Sequence, residues 1–395
     1  MLTDERKQEV IALCGRLVKA KSYSGEERQV AKELELFFKS SGFDEVLYDE
    51  YGCIIGCIHG NKSGPRILLD GHIDTVPVTD EEKWTYPPFG AELHEGRMYG
   101  RGTSDMKGAV AAMACALKNY AQDTKRDFGG SLYLAGVVHE ECFEGVAARS
   151  VSGMIKPDYV IIGEASDLNL KIGQRGRGEV KLETFGMAAH SANPEKGVNA
   201  VYGMLRAVDE IKKLPLSVHP VLGKGILELT DIKSSPYPGA SVVPSYCAAT
   251  YDRRLLVGET REDVLAPIQA LLGRMKEENK EFEAAVSFSR GEEFCYTGTK
   301  IEGERFFPGW LYEEKASFVQ AVLKELRANG FKPAVTQYNF CTNGSHYAGE
   351  ANIKTIGLGP SREDLAHTRD EYIEIGELTA AVECYMCAVR ALLAL

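Results

Sequence analysis

The sequence has neither an excess of positive charge nor a long apolar run. Its 395 residues include 46 Lys and Arg against 57 Asp and Glu, a net charge of −11, and a negative surface repels phosphate backbones. The longest charge-free helical stretch, 108–117, is far shorter than the ~20 residues of a membrane span. Residues 1–21 carry charges throughout and lack the apolar core of a signal peptide. We therefore expect a cytoplasmic protein that binds neither nucleic acid nor membrane.

Glycine and proline are too few for a disordered chain. The 40 Gly and 15 Pro make up about 14% of the residues, below the roughly 25–30% that is typical of disorder. The ten cysteines are scattered, which favours reduced thiols over a disulfide framework. Cys384 and Cys387 have the spacing of a metal or redox pair. However, they lie in an apolar helical run without a second pair nearby, so we interpret them as core residues.

The order of helical and strand patterns divides the chain into three segments. Helices alternate with apolar strands at both ends of the chain, which predicts an α/β fold with a mostly parallel or mixed sheet. The middle segment reads β-α-β-β-α-β, the order of a ferredoxin-like α+β layer. We therefore predict one α/β domain, formed by residues 1–176 and 292–395, that is interrupted by a smaller inserted domain at residues 177–291.

Several candidate metal ligands follow predicted strands or Gly-rich turns. His72 ends an apolar strand, and Asp74, two residues on, is placed to hold the second ring nitrogen of this histidine. Alone, such a pair is also common as a surface ion pair. Asp105 follows a Gly-rich turn at the start of a helix, where a ligand and a plain helix cap are both reasonable interpretations. The spacing of a phosphate-binding loop is absent.

Four further residues extend this set. Glu140 and Glu141 follow another strand, and adjacent carboxylates repel each other unless a cation compensates them, although two solvated loop acids are an alternative. Glu164 ends a third apolar strand, and His367 follows a strand and a Gly-rich loop. If one of the two adjacent glutamates is a ligand, it makes three carboxylates together with Asp105 and Glu164. Two histidines and three carboxylates suit zinc, cobalt or manganese. With Asp105 as a bridge, the positive charge of two divalent ions exceeds the negative charge of the three carboxylates. The net positive charge that remains can hold a hydroxide or a substrate anion.

These motifs, in this order, resemble those of the co-catalytic zinc aminoacylase and carboxypeptidase family. Its members include acetylornithine deacetylase, succinyl-diaminopimelate desuccinylase and bacterial glutamate carboxypeptidase. The likeness covers nearly the whole chain, and residues 340–346 are similar to a bacterial subgroup, the selenium-metabolism-linked hydrolases. The resemblance implies a mixed-sheet zinc-exopeptidase catalytic domain interrupted by a ferredoxin-like lid and dimerisation domain. It also implies a homodimer formed through that lid domain.

The resemblance assigns the five ligands to two metal ions, most simply zinc, with cobalt or manganese as alternatives. His72 and Glu164 bind one ion, Glu141 and His367 bind the other, and Asp105 bridges the two. The family often has a cis peptide bond after the bridging aspartate, here before Met106.

The resemblance also implies three catalytic roles. Glu140 is the general base, and Asp74 supports His72. His190, in the motif at residues 189–194, corresponds to a histidine that reaches into the active site of the partner subunit and stabilises the oxyanion. Without the family, a helix-start histidine with no catalytic task is the favoured interpretation of His190.

Two residues are implied to contact the substrate. Arg254, in a tract that resembles a family motif at residues 252–259, is a candidate to bind the substrate carboxylate, since its planar fork suits that group. A solvated surface arginine is the alternative. Asn343 replaces an acid found in many relatives, and Ser241 replaces an asparagine. Both places lie near substrate contacts, so these differences concern the identity of the substrate.

The sequence therefore predicts a metal-dependent hydrolase that cleaves an amide bond with a water activated by two zinc ions. The substrate is a small amino-acid derivative: an N-acyl or N-carbamoyl amino acid, or a dipeptide. The alternative is a catalytically silent small-molecule binding protein on the same scaffold. A di-metal phosphoesterase is disfavoured, because the ligands lack the usual excess of histidines and basic neighbours.

Overall fold

The computed structural model describes residues 2–395 and divides into two compact units. Unit 1 comprises the residues up to Gln174, Glu292–Gly303 and Leu311–Leu395, and unit 2 comprises Arg175–Gly291 and Glu304–Trp310. Among residues 2–395, none of the helices combines the length and the apolar character needed to cross a membrane.

The described residues form eight α-helices and twenty-one strands. The helices are α1 (Asp4–Lys19), α2 (Arg28–Ser40), α3 (Gly108–Thr124), α4 (Val146–Ile155), α5 (Ala200–Ile211), α6 (Arg261–Glu278), α7 (Ser317–Ala328) and α8 (Ile375–Leu393). The first eleven strands are β1 (Glu45–Tyr48), β2 (Ile54–His59), β3 (Lys62–His72), β4 (Glu92–His94), β5 (Arg97–Tyr99), β6 (Gly129–Val137), β7 (Tyr159–Ile162), β8 (Leu170–Gln174), β9 (Gly176–Phe185), β10 (Val218–His219) and β11 (Gly223–Lys224). The others are β12 (Ile226–Ser235), β13 (Tyr246–Leu255), β14 (Glu283–Phe288), β15 (Arg290–Phe294), β16 (Lys300–Glu304), β17 (Phe306–Phe307), β18 (Trp310–Leu311), β19 (Val335–Tyr338), β20 (Lys354–Gly357) and β21 (Tyr372–Glu374).

A mixed sheet forms the centre of unit 1. Its strands run in the order β1-β2-β6-β3-β7-β20-β8, and β19 pairs with β8. The four middle strands β6, β3, β7 and β20 are mutually parallel, whereas β1, β2 and β8 join through antiparallel pairs. β7 is buried along its whole length, as parallel strands covered on both faces are. Because α3 is rich in alanine, it packs closely against β3 and α8. The predicted α/β class with a mixed sheet is confirmed.

Unit 2 contains an antiparallel sheet with the strand order β12-β13-β9-β14. The chain order β9-α5-β12-β13-α6-β14 is the predicted β-α-β-β-α-β, and α5 and α6 contribute Met204 and Leu271 to the apolar core of this layer. Residues 304–310 belong to unit 2 because β17 pairs with β9. The domain boundaries drawn from the sequence stay a prediction.

The start of α2 differs from the sequence-based expectation. Ser24, with Glu26 and Glu27 after it, predicts the cap of a helix that starts at Gly25. However, α2 begins at Arg28, and the Ser24 hydroxyl donates to Oδ2 of Asp74 at 2.7 Å. The Glu27 carboxylate accepts the main-chain N–H of Gly25 at 2.9 Å and fixes the turn before the helix. A tertiary partner of Ser24 therefore takes the place of the local cap.

Candidate metal centre

Four neighbouring parallel strands, β6, β3, β7 and β20, end at the same edge of the large sheet. The register pairs His72, at the end of β3, with Val137 of β6, and Ile162, at the end of β7, with Gly357 of β20. In open α/β sheets, ligands bind at the carboxyl ends of the strands. The residues that follow these four strands therefore gather along one edge.

Asp105 lies in the turn that leads into α3, and its two carboxylate oxygens face two different histidines. Oδ1 lies 2.8 Å from Nε2 of His72, and Oδ2 lies 3.1 Å from Nε2 of His367. The turn passes through Gly102 at φ 85°, a conformation that favours glycine. The cis peptide bond between Asp105 and Met106, which the family resemblance implies, is present. One carboxylate thus contacts histidines from distant parts of the chain.

Glu141 and Glu164 extend the group around Asp105 in two directions. Nε2 of His367 lies 3.0 Å from Oε2 of Glu141, and Nε2 of His72 lies 3.6 Å from Oε1 of Glu164. Ligand atoms that are about 2.0–2.2 Å from a tetrahedral zinc ion lie roughly 3.3–3.6 Å from one another. The separation between His72 and Glu164 falls in that range, whereas the contacts of Asp105 and Glu141 with the histidines, at 2.8–3.1 Å, are shorter. A bound ion would therefore require these side chains to move apart by only a few tenths of an ångström.

Gly359 explains how the loop after β20 comes close to Glu164. A Cβ at this position would lie 2.2 Å from the main-chain oxygen of Gly163 and 2.3 Å from that of Glu164. Only glycine allows so close an approach of two backbones. The Gly-rich loop that leads to His367 can therefore pass directly over the end of β7.

Glu140 lies beside the same group. Its ligand atom and those of His72 and Glu164 lie within 4.8 Å of one another. Within residues 2–395, Oε1 of Glu140 and Oε1 of Glu141 are buried and have no hydrogen-bond partner. Since a buried carboxylate oxygen without a donor is energetically costly, these two atoms are suited to receive a cation or a proton.

The crowding of carboxylates perturbs the ionisation of the centre. Burial raises the pKa of Glu140, Glu141 and Glu164 above their usual range, and the charge of Asp105 raises the pKa of the last two further. Burial also acts to raise the pKa of Asp105, but hydrogen bonds from the two histidines outweigh it and lower that pKa. Divalent cations offset such repulsion, so the charge of the donor set suits a metal ion.

Asp74 connects His72 to the main chain of the two adjacent glutamates. Its Oδ1 accepts the N–H of Glu140 at 3.1 Å, and its Oδ2 accepts the N–H of Glu141 at 3.2 Å and the hydroxyl of Ser24. Nδ1 of His72 lies 3.0 Å from the main-chain oxygen of Asp74 but 3.6 Å from its nearer carboxylate oxygen. The main-chain oxygen is thus the nearer acceptor for the ring, while the carboxylate organises the loop that bears the glutamates.

Two buried acids near the centre are not among the predicted site residues. Asp70 accepts hydrogen bonds from Nδ2 of Asn343 at 3.0 Å and from the hydroxyl of Tyr347 at 2.8 Å. Glu371 accepts the main-chain N–H of Asp105 at 3.1 Å. The sequence gives only weak signals for these two acids. Asp70 precedes the candidate ligand His72 on the same strand, and Glu371 follows His367 by four residues.

Asn343, which the sequence analysis assigns to substrate contact, is only 2% exposed. In addition to its bond to Asp70, its Oδ1 accepts the N–H of Gly145 at 2.9 Å. The side chain therefore links β3 to the residue that precedes α4. Its role in substrate contact stays a prediction.

His346, to which the sequence gives no role, anchors the loop that follows β19 to α4. Its Nε2 lies 2.6 Å from Oγ of Ser152, and its Nδ1 lies 2.9 Å from Oε2 of Glu350. Nη2 of Arg149 lies 2.7 Å from the other oxygen of Glu350. Both ring nitrogens of His346 are thus engaged with neighbouring side chains, which is a structural role.

The variant Glu350→Gln tests this anchor through the pH dependence of stability. Burial acts to raise the pKa of Glu350, but hydrogen bonds from His346 and Arg149 outweigh it and lower that pKa to about 2. A carboxyl whose pKa is lowered by folding stabilises the protein above its unfolded pKa of about 4.3 and loses that effect as the pH falls towards 2. We expect the variant to unfold about 1–3 kcal/mol more easily at pH 7. The difference should shrink between pH 4.5 and pH 2 in denaturant titrations, and a constant difference would contradict this account.

His190 and Arg254 belong to unit 2, whereas the ligand group around Asp105 belongs to unit 1. His190 is exposed, and its Nδ1 accepts the main-chain N–H of Ala192 at 3.0 Å. Nε of Arg254 lies 2.7 Å from Oδ1 of Asp252 on the same strand. The catalytic role of His190 and the substrate-binding role of Arg254 stay predictions.

Comparisons with known proteins identify the family of the chain. Residues 68–391 match the model of the peptidase family M20/M25/M40. The chain is 33% identical over 362 residues to the uncharacterized protein YgeY of Escherichia coli, covering 90% of this chain and 87% of that protein. It is 26% identical over 390 residues to succinyl-diaminopimelate desuccinylase 2 of Ruegeria sp., covering 95% and 93% of the two chains. The crystal structure of the aminopeptidase PepT from Bacillus cereus superimposes with a TM-score of 0.76 at 19% identity, covering 98% of both chains.

The resemblance that the motifs indicate is thereby confirmed, since the family model covers most of the chain. The alternative of a catalytically silent binding protein has no support among these comparisons. The chain belongs to the peptidase family M20/M25/M40 and is a metal-dependent hydrolase of amide bonds.

Proposed function

We propose that the protein hydrolyses the amide bond of a small amino-acid-derived substrate with the help of two divalent metal ions, zinc in the first instance. The observation that carries this proposal is the position of Asp105, whose two oxygens lie 2.8 and 3.1 Å from the Nε2 atoms of His72 and His367. A carboxylate in that position is suited to bridge two ions. Cobalt and manganese accept the same nitrogen and oxygen ligands and are the alternatives.

Each ion would have three protein ligands. His72, Glu164 and one oxygen of Asp105 would hold the first, and Glu141, His367 and the other oxygen of Asp105 would hold the second. When bound, such a pair lowers the pKa of a water towards about 7 and polarises the substrate carbonyl.

Glu140 is the proposed general base. Its buried Oε1 has no hydrogen-bond partner within the described chain, so it is available to take a proton from the attacking water. The same atom would then return the proton to the nitrogen of the leaving amine. Asp74 keeps Glu140 in place, because its Oδ1 accepts the main-chain N–H of that residue at 3.1 Å.

The substrate is proposed to be an N-acyl or N-carbamoyl amino acid, or a dipeptide, with a free carboxylate that Arg254 binds. A fixed planar guanidinium suits that group, and the Nε contact with Asp252 holds one edge of the Arg254 side chain in place. The desuccinylase among the relatives acts on an acylated amino acid, as its name states, which supports this substrate class.

A homodimer is the proposed assembly, with His190 of one subunit stabilising the oxyanion at the centre of the other. The exposed face of α5 supports this proposal. Tyr202 is 68% exposed and Leu205 is 54% exposed, and large apolar side chains on one helix face are typical of an interface.

A turnover screen tests the proposed reaction. Full-length protein loaded with zinc, cobalt or manganese is incubated with N-acyl amino acids, N-carbamoyl amino acids and dipeptides, and release of the free amine is measured. We expect turnover of at least one class that stops when the metal is removed by a chelator and returns when it is added again. Turnover that persists without metal, or its absence in every class, would contradict the proposal.

Arg254→Ala tests how the substrate is held. We expect KM for a substrate with a free carboxylate to rise by about 10- to 100-fold, because a charge-assisted bidentate contact is worth roughly 1.5–3 kcal/mol. For the matched substrate, in which the carboxylate is converted to an amide, KM should be nearly the same for the variant and the unaltered protein. An equal rise in KM for both substrates would mean that Arg254 does not bind the carboxylate.

A further inference from the structure

Glu371 is fully buried and makes three contacts through one carboxylate. Its Oε1 accepts the main-chain N–H of Ser104 at 2.8 Å and that of Asp105 at 3.1 Å. Its Oε2 lies 2.6 Å from Nη1 of Arg101. The carboxylate therefore fixes the main chain from which the side chain of Asp105 projects.

Arg101 extends this link to the second histidine. Its Nη2 donates to the main-chain oxygen of His367 at 3.4 Å, and the ring of Trp84 covers the guanidinium at 5.3 Å. The main-chain N–H of Arg101 donates to the oxygen of Pro88 at 2.7 Å, which fixes its own segment. Glu371 and Arg101 together thus connect the main chains that carry Asp105 and His367.

A buried ion pair such as this one is weak evidence for a contribution to global stability. Desolvation of two buried charges often cancels their mutual attraction, and apolar replacements of such pairs are frequently neutral or stabilising. The hydrogen bonds of the pair are directed instead at the main chain of two candidate ligands. Groups that orient metal ligands in this way typically change metal affinity by about 10- to 100-fold when they are replaced.

We infer that Glu371 and Arg101 are positioning residues that set the affinity of the centre for one of its two ions, the ion held by Asp105, Glu141 and His367. This inference rests on the dinuclear centre proposed above. The pair holds Oδ2 of Asp105 and Nε2 of His367, which lie 3.1 Å apart, in positions from which both atoms could bind the same ion.

The ion at His72 and Glu164 depends on other supports. His72 ends β3, and its Nδ1 is held by the main-chain oxygen of Asp74 at 3.0 Å. Glu164 follows β7, and its main-chain oxygen accepts the hydroxyl of Tyr338 at 3.0 Å. Loss of the pair should therefore weaken the two ions unequally.

Zinc titration of the full-length variant Glu371→Gln tests this inference. The variant keeps the shape of the side chain but loses the charge that pairs with Arg101. After removal of metal, the protein is titrated with Zn²⁺ in competition with a chromophoric chelator, which separates the two binding steps. We expect one of the two binding steps to lose about 10- to 100-fold in affinity while the other changes much less. The affected step should be the one that His367→Ala abolishes.

The matched control is Glu374→Gln, in the same segment. Glu374 lies 2.8 Å from Nε of Arg97 in a comparable but more exposed ion pair, and both zinc affinities should match those of the unaltered protein. A second test uses the His367→Ala background, which keeps only the ion at His72 and Glu164. There, adding Glu371→Gln should leave the affinity for the remaining zinc nearly unchanged.

Arg101→Lys provides a test that does not depend on the folding of the first variant. Lysine keeps the charge but cannot span from Glu371 to the main-chain oxygen of His367. We expect a selective loss of affinity for the same zinc, with the circular dichroism of the folded protein unchanged and Arg97→Lys as the control.

Two results would overturn the inference. The first applies if the unaltered protein binds two zinc ions. If the variants then bind both ions equally more weakly, or bind both with unchanged affinity, the pair does not position one ligand set. If the unaltered protein itself binds fewer than two zinc ions, the dinuclear centre fails, and the inference fails with it.

Discussion

The variant Glu140→Gln is expected to lower kcat for amide hydrolysis by about 10²- to 10⁴-fold while the metal content stays at the level of the unaltered protein. Glutamine fills the same volume and can keep the main-chain contact with Asp74, but its amide cannot take a proton from water. The measurement pairs steady-state kinetics on the best substrate of the turnover screen with elemental analysis of bound zinc.

Glu141→Gln is the matched comparison, because the two glutamates are adjacent and their main-chain N–H groups both donate to Asp74. This second variant should lose metal, since Oε2 of Glu141 lies 3.0 Å from Nε2 of His367 within the proposed ligand set. If Glu140→Gln kept full activity, or lost its metal as Glu141→Gln does, the general-base role of Glu140 would be wrong.

The variant Asp105→Asn should have the largest effect on metal binding. The amide keeps one neutral oxygen and places an NH₂ group where the other oxygen was, so one proposed ion loses a ligand and the other keeps only a weaker, uncharged one. We expect the affinity for zinc to fall by more than the roughly 10- to 100-fold that is typical of an outer partner. Hydrolysis should fall in parallel, measured on protein equilibrated with limiting zinc.

Asp123→Asn is the control for this substitution. Asp123 lies near the other end of α3, where its carboxylate forms a partly exposed ion pair with Arg6 at 2.6 Å. The control should bind two zinc ions as the unaltered protein does. Retention of two tightly bound ions by Asp105→Asn would show that Asp105 does not bridge them.

Elements with local signals could be predicted closely from the sequence. The sequence pattern predicts a helix at residues 261–278, which coincides with α6, and Thr260 and Asp263 form a reciprocal capping box at its start. The apolar pattern at the end of the chain predicts a helix from Ile375, which is where α8 begins. The start of α2 could not be predicted, because Ser24 binds a carboxylate 50 residues away rather than the helix next to it.

Strands defined by distant partners were harder to predict. The sequence pattern predicts no strand at β8 (Leu170–Gln174) or at β19 (Val335–Tyr338), although these two strands pair in parallel in the large sheet. Each is short, and the two strands are separated by more than 150 residues of chain. Non-local pairing, rather than a hydrophobic repeat, defines them.

The same distinction applies to the centre. His72, Glu141 and Glu164 follow apolar strands, and this local pattern is what a single sequence can show. The contact between Arg101 and Glu371 joins residues 270 positions apart, and no spacing rule connects them. Buried partners of this kind become visible only when the fold brings them together.

The most direct test of the account is anomalous diffraction at the zinc edge from crystals of the metal-loaded protein. The account predicts two zinc peaks per chain, about 3.5–4 Å apart, with one oxygen of Asp105 bound to each. A single peak, or two peaks that do not share Asp105, would contradict it.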